Sequence, residues 1–223
     1  MARQVAHEIK NPLTPIQLAA EHLQRVHVDQ GHPLGTVFDQ CVDTILGQVR
    51  LLRRIASDFA NFAAEPKPKL ERVEIGRVIE DVVGPYRLSL SDRVEVRTDV
   101  PADLPATFVD RTMLQRALTN LVENAIQAMP TGGALRVAAE AAEDEVVVTV
   151  ADTGVGMDDA ALARAFEPFF STKTGGSGLG LANARRSIEL QGGTIGITSA
   201  PGAGTTVTIN LRAASRPDAP ATA

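Results

Sequence analysis

From Phe38 to Phe62 one set of residues recurs at alternating steps of three and four: Phe38, Cys41, Ile45, Gln48, Leu52, Ile55, Phe59 and Phe62, with Gln48 the one polar member. A repeat of about 3.5 residues held for this long confines a segment to an α-helix with one narrow apolar seam. That is the pattern of a coiled coil or helix bundle; a lone helix on a globular core carries a wider stripe. Upstream, Val5, Ile9, Leu13, Ile16, Ala20 and Leu23 share one face at about 100° per residue. Between the two segments "DQGHPLGT" supplies the Gly, Pro and Gly of a turn. The expectation is an α-helical hairpin over residues 1–63. One hairpin buries a seam on both helices poorly, so two copies are expected to pair as a homodimer, a four-helix bundle.

"AAEPKPKLE" then breaks the periodicity with two prolines and marks a linker over residues 64–71. Residues 72–212 mix the two periods. Ile75, Val78, Ile79, Val82, Val83 and Tyr86 mark a helix, "VEVRTDV" a strand, and "RTMLQRALTNLVENAIQAM" a long helix ended by "PTGG". "ALRVAAEA" and "EVVVTVAD" read as a hairpin, followed by a glycine-rich stretch to Gly180 and a helix to about Leu190. "TIGITSA" and "TTVTINL" are strands around the turn "PGAG". Such an order predicts an α+β sandwich, one sheet covered on one face by helices. The tail over 213–223, rich in Ala, Pro, Ser and Thr, is expected to be disordered.

A formal charge of −5 gives no support to a nucleic-acid-binding surface. The single cysteine, Cys41, excludes an internal disulfide framework and fits a reducing, cytoplasmic compartment. No apolar run approaches the roughly 18 residues of a spanning helix.

Four features of the second domain carry chemistry. Asp152 ends an apolar strand and is followed by Gly154 and Gly156. A carboxylate there can accept a hydrogen bond from an exocyclic amino group while the glycines admit a flat base. Taken alone, the same string is also a plain turn. Gly176, Gly178, Leu179 and Gly180 lead into a helix whose N-terminal N–H groups can face phosphates, or form a flexible loop before a capped helix. No Gly-Lys-Ser/Thr follows, so this is not a P-loop, and no strand immediately precedes the glycines as in a dinucleotide fingerprint. Between them, "FEPFFSTKTGG" gives a loop an apolar anchor of Phe166, Phe169 and Phe170, with Lys173 as a phosphate-binding cation or an ordinary surface lysine. Asn120 and Asn124 lie four apart on one helical face. Their amide oxygens suit Mg²⁺ shared with substrate phosphates, or are solvated. Together the four describe one nucleotide site: base on Asp152, Mg²⁺ on Asn124, phosphates at the Gly176–Gly180 turn and a lid from Phe166 to Lys173.

"AHEIKNPLTPIQLAAEHL" resembles the H box of sensor histidine kinases, "NLVENA" the N box, "DTGVGM" the G1 box, "FEPFFSTK" the F box and "GSGLGLA" the G2 box. The resemblance runs in the family's order from about residue 4 to 211. "NPLTPIQLAAEHL" and "FDQCVDTILGQVRLLRRIASDFANFAAEPKP" are more narrowly similar to NtrY-type nitrogen-regulation kinases, with the NtrB type next. It implies a dimerisation and phosphotransfer hairpin followed by an ATP-binding domain of the gyrase–Hsp90–histidine kinase–MutL type. By motif match His7 is the phosphoacceptor, Asn124 the Mg²⁺ ligand, Asp152 the adenine anchor and Lys173 a phosphate-binding lid residue. Asn120 lies near phosphates and metal, and Thr205 in "GAGTT" supports the base. The phosphoryl group passes to an aspartate of a separate response regulator. Asn11, by the same match, orients water for dephosphorylating that regulator. Any membrane contact lies in segments upstream.

The residues around His7 agree with this. His7 lies opposite the apolar stripe and Asn11, at i+4, shares its face. Glu8 can accept from Nδ1–H, leaving Nε2 as the nucleophile. A zinc protease needs a second histidine where Asn11 stands. Pro12 lacks an N–H, frees the Glu8 carbonyl and is expected to bend the helix beyond His7. Leu18, near the His7 face, is a candidate for docking the regulator. Two alternatives accompany the kinase. An ATP hydrolase of the same superfamily carries glutamate where Asn120 stands, and a non-catalytic dimeric scaffold is marked by a damaged nucleotide site, whereas every matched position is intact.

Overall fold

The structure is a computed structural model that describes residues 12–23, 25, 35–63, 67–90, 93–173 and 177–214. Two compact units emerge, Met1–Glu65 with Ser171–Leu179 and Pro66–Phe170 with Gly180–Ala223.

The first unit contains helix α1 (residues 12–23) and helix α2 (Gly35–Ala63); of the expected turn "DQGHPLGT", Gly35 and Thr36 open α2 and the rest lies outside the described residues. On α2 the heptad positions behave unequally. Cys41 and Ile55 are buried, Ile45, Gln48, Leu52 and Phe59 are half-buried, and Phe38 is exposed. On α1 the covered positions are Pro12, Pro15, Ile16, Ala19 and Leu23, whereas Leu13 and Ala20 of the expected stripe are exposed. The stripe read from sequence is therefore broader than what one chain covers. Val5 and Ile9 lie outside the described residues.

The second unit is an α+β sandwich. Strand β1 (Glu71–Val73) pairs antiparallel with β3 (Thr107–Val109) in a small ribbon. The main sheet has the order β2-β4-β5-β7-β6, from β2 (Val94–Asp99), β4 (Gly133–Ala142), β5 (Glu145–Asp152), β6 (Thr194–Ala200) and β7 (Gly204–Arg212). Only β2–β4 is parallel. Alternation along the strands sends Leu135, Val137, Val146, Val148, Val150, Val207, Ile209 and Leu211 to one buried face. Helices α3 (Ile75–Ser89), α4 (Arg111–Gln127) and α6 (Gly180–Glu189) cover that face, with α4 packed against both of the others. The short α5 (Asp159–Arg164) follows the first glycine loop.

Helix α4 is the central support. Leu114, Ala117, Leu118, Leu121, Val122 and Ala125 are buried along it at helical spacing. Its N-cap, Asp110, accepts from Met113 N–H at 3.0 Å and also from Lys69 N–H at 2.9 Å, so one carboxylate caps the helix and holds the end of the linker. Burial raises the Asp110 carboxyl, but hydrogen bonds from the Lys69, Met113 and Thr112 backbones outweigh it and hold the group below its ordinary value. A depressed carboxyl contributes stability above its unfolded value of about 4 and loses it as pH falls through the folded one. Asp110→Ala is accordingly expected to destabilise this unit by about 1 kcal/mol at neutral pH. In urea melts from pH 7 to pH 3 the gap from the unmodified chain should shrink with acidification; a pH-independent gap contradicts the assignment.

Order continues past residue 212. Ala213 bridges Thr107, and Ala214, buried, donates to Ala106 O at 2.7 Å.

Candidate nucleotide site

The loop after β5 lies flat on the end of α4. Val155 N–H donates to Ala128 O at 3.0 Å, and a Cβ on Gly154 would fall 2.5 Å from the same oxygen. Only glycine admits that approach. The loop also interlocks with the β6–β7 turn. Gly202 N–H donates to Val155 O at 2.8 Å. Gly156 has φ +66° and a Cβ there would lie 1.9 Å from Ala200 O; Gly204 has φ +81° and a Cβ would lie 1.9 Å from Asp152 O. Gly204→Ala should therefore cost roughly 2 kcal/mol or more and weaken nucleotide binding in titrations; unchanged stability would show that the turn yields.

Asp152 sits half-buried at the end of β5, its Oδ1 accepting from Gly154 N–H at 2.8 Å. The register places Thr205 directly across from Asp152, and Ser199 across from Thr205. A carboxylate, a threonine and a serine thus form one cross-strand row beside the glycine loop.

One turn back along α4 from Ala128 is Asn124, half-buried, with Asn120 a turn earlier. Gly180 opens α6, and a Cβ there would meet Asn124 Nδ2 at 3.3 Å, so the Asn124 amide lies over the first residue of that helix. The first N–H groups of a helix lack intrahelical partners and carry partial positive charge. An anion-binding helix end and a neutral amide oxygen, a hard donor that Mg²⁺ accepts alongside water and phosphate, are therefore adjacent. The donor chemistry fits Mg²⁺ at Asn124.

Two arginines hold the phenylalanines that follow α5. Asp158 caps α5, accepting from Ala161 N–H at 2.8 Å. The Arg164 guanidinium lies 4.2 Å from the Phe170 ring centroid and pairs with Glu167 at 2.8 Å. From α6, Arg185 lies 5.4 Å from the Phe166 centroid. Phe169 adopts φ +66°, unusual for an aromatic residue.

The structure brings together Asp152, Gly154, Gly156 and Thr205, and separately Asn124 with Gly180 on neighbouring helices. Lys173, Gly178 and Leu179 belong to the first unit. There Lys173 N–H donates to Ser171 Oγ at 3.1 Å, Gly178 has φ +64° and Leu179 is buried. His7, Glu8, Asn11 and Gly176 lie outside the described residues. Ser199 and Gly204 escaped the sequence reading. The period-2 alternation of Ile195, Ile197 and Ser199 carries a signal for the first, and the "PGAG" turn for the second.

Residues 109–215 match the family of histidine kinase-, DNA gyrase B- and HSP90-like ATPases, and residues 1–65 match the His Kinase A (phospho-acceptor) domain. The chain belongs to the sensor histidine kinases. It is a kinase core, similar to the nitrogen regulation protein NtrY of Azorhizobium caulinodans, with 38% identity over 96% of this chain and 28% of that protein. It thus spans under a third of that relative's length. Among solved structures, histidine kinase ThkA in complex with response regulator protein TrrA aligns at TM-score 0.80 and 22% identity, over 96% of this chain and 61% of that one. Full-length ShkA in complex with AMPPNP aligns at 0.67 and 24%, over 92% and 47%. Both share the order of helices followed by a mixed sheet. No helix among the described residues of the kinase core is long and apolar enough to cross a membrane.

Proposed function

We propose that this kinase core binds ATP with Mg²⁺, phosphorylates its own His7 and passes the phosphoryl group to an aspartate of a response regulator. The observation that carries the reading is the Asp152–Thr205 row, closed in by Gly156 and Gly204, beside a glycine loop that packs on Ala128, one helical turn along α4 from the Asn124 that lies over the opening of α6. Asp152 and Thr205 receive the base. The N-terminus of α6, opened by Gly180, receives the triphosphate, with Asn124 and Asn120 toward the metal; the sequence match, rather than any packing between the two units, adds Gly176, Gly178, Leu179 and Lys173 as phosphate-binding residues. Mg²⁺, when bound, neutralises phosphate charge as the transfer proceeds. His7 Nε2 attacks the γ-phosphorus, the bond to the β–γ bridging oxygen breaks, and ADP leaves with that oxygen. Glu8 holds Nδ1–H and so keeps Nε2 unprotonated for attack. Asn11 positions water when the core removes phosphate from the regulator.

The same reading assigns residues 1–63 to dimerisation and phosphotransfer, 64–71 to the linker, 72–212 to ATP binding and 213–223 to the tail. Exposure of Leu13, Phe38 and Leu46 supports pairing with a second copy through the hairpin. Leu18, 60% exposed on α1, supports docking of a receiver domain there. Likeness to NtrY supports a place in nitrogen regulation, and use of cellular ATP places the core in the cytoplasm, with any membrane anchor in upstream segments.

The test is incubation of the 223-residue chain with γ-labelled ATP and Mg²⁺. The proposal expects acid-labile, base-stable label on the protein. Free phosphate without labelled protein would indicate a superfamily ATP hydrolase, and neither product a scaffold.

A further inference from the structure

Ser199 Oγ lies within hydrogen-bond distance of three groups. Met157 N–H, at 2.9 Å, can only donate; Gly204 O, at 2.8 Å, can only accept; Thr205 Oγ1, at 3.0 Å, can do either. A hydroxyl has one hydrogen. That of Ser199 goes to Gly204 O, which has none to offer, while the Met157 bond uses a lone pair of Ser199. The contact with Thr205 is then made by the Thr205 hydroxyl donating to Ser199. Thr205 has spent its only hydrogen and offers lone pairs alone to whatever else approaches. Across the strand pair stands Asp152, whose carboxylate is also an acceptor.

We infer that Ser199 is a positioning residue for base selection: by taking the Thr205 hydrogen it makes the Asp152–Thr205 row acceptor-only, which selects a 6-aminopurine and rejects a 6-oxopurine. The inference rests on reading that row as the base site. A 6-amino group donates into the row, whereas a 6-oxo group sets acceptor against acceptor at that position in a half-buried site. Through Met157 and Gly204 the same hydroxyl joins the glycine loop to the β6–β7 turn, which holds the row in register with the base. Were Thr205 free to rotate, its hydrogen could satisfy a 6-oxo group and the discrimination would weaken.

The experiment is a competition titration of the 223-residue chain against a fluorescent ATP analogue. The competitors are ATP, purine riboside triphosphate, which carries hydrogen at position 6, and inosine triphosphate, which carries oxygen. The unmodified chain should bind ATP best and inosine triphosphate worst, with ATP favoured over inosine triphosphate on the order of 100-fold. Ser199→Thr and Ser199→Val have the same shape and differ in the hydroxyl. Ser199→Thr should keep the ratio, and Ser199→Val should shrink it about tenfold by releasing the Thr205 hydrogen. A Ser199→Val chain that weakens all three nucleotides alike, or keeps the full ratio, overturns the inference. Should Ser199→Val not fold, the order in the unmodified chain decides: equal binding of inosine and purine riboside triphosphates overturns it. Absence of any ATP binding takes down the nucleotide-site reading and this inference together, whereas ATP binding without discrimination removes the inference alone.

Discussion

His7→Gln should abolish the acid-labile label, with a loss of more than about a hundredfold, while ATP affinity stays that of the unmodified chain. The two readouts separate because the proposed acceptor is no part of the proposed base row, which is built from β5, β6 and β7. Glutamine approximates the size and polarity of histidine but lacks a ring nitrogen with a nucleophilic lone pair. The effect belongs to chemistry rather than binding, so saturating ATP should not rescue it. The chain holds three other histidines, His22, His27 and His32. Of these His22 is exposed on α1, so residual label in His7→Gln would direct attention there and count against the assignment.

Asp152→Asn should weaken ATP binding by roughly ten- to a hundredfold, the range expected when a charged acceptor of a hydrogen bond is lost. The substitution preserves the shape of the turn, because an amide oxygen can still accept the Gly154 N–H that Asp152 Oδ1 accepts now. The introduced NH₂ group, however, points a donor at a base edge that itself donates. Thermal unfolding should therefore stay within a few degrees of the unmodified chain while the titration curve moves. A large fall in stability with little change in affinity would make Asp152 a structural turn residue. Label incorporation should drop at low ATP and recover in part as ATP is raised, unlike in His7→Gln.

How much of this was readable in the residues follows from the range over which each signal acts. The helices α3 and α4 and the strands β4 to β7 announce themselves through period 3.6 or 2 over seven residues or more. The ribbon of β1 and β3 does not, since three residues hold too few repeats, and β1 begins at Glu71, within the segment read as linker. The six-residue α5 was hidden inside a glycine-rich stretch, although Asp158 is a good N-cap. On α1 the apolar stripe is visible, yet which half turns inward depends on the partner available, and among the described residues one chain covers Pro12, Pro15, Ile16, Ala19 and Leu23.

The site divides the same way. Gly154 and Gly156 stand next to Asp152 in sequence, so the first wall of the proposed base pocket is legible. Its second wall, Ser199 and Gly204, lies about fifty residues on and meets Asp152 only through the pairing of β5, β7 and β6. The alternation of β6 and the "PGAG" turn specify the β6–β7 register, but β5 and β7 are separated in sequence by two helices and a strand, so their pairing is set by tertiary packing. The Arg185–Phe166 contact is hidden for the same reason: both residues look ordinary until α6 is laid beside the segment after α5.

The most direct measurement of the central claim is the position of the phosphoryl group. The 223-residue chain, incubated with ATP and Mg²⁺, is digested at neutral to alkaline pH and its peptides are mapped by mass spectrometry with fragmentation that preserves phosphohistidine. The account predicts one phosphorylated peptide, carrying the group on His7. Phosphate on serine, threonine or another histidine, or unmodified His7 in a chain that binds and consumes ATP, would contradict it.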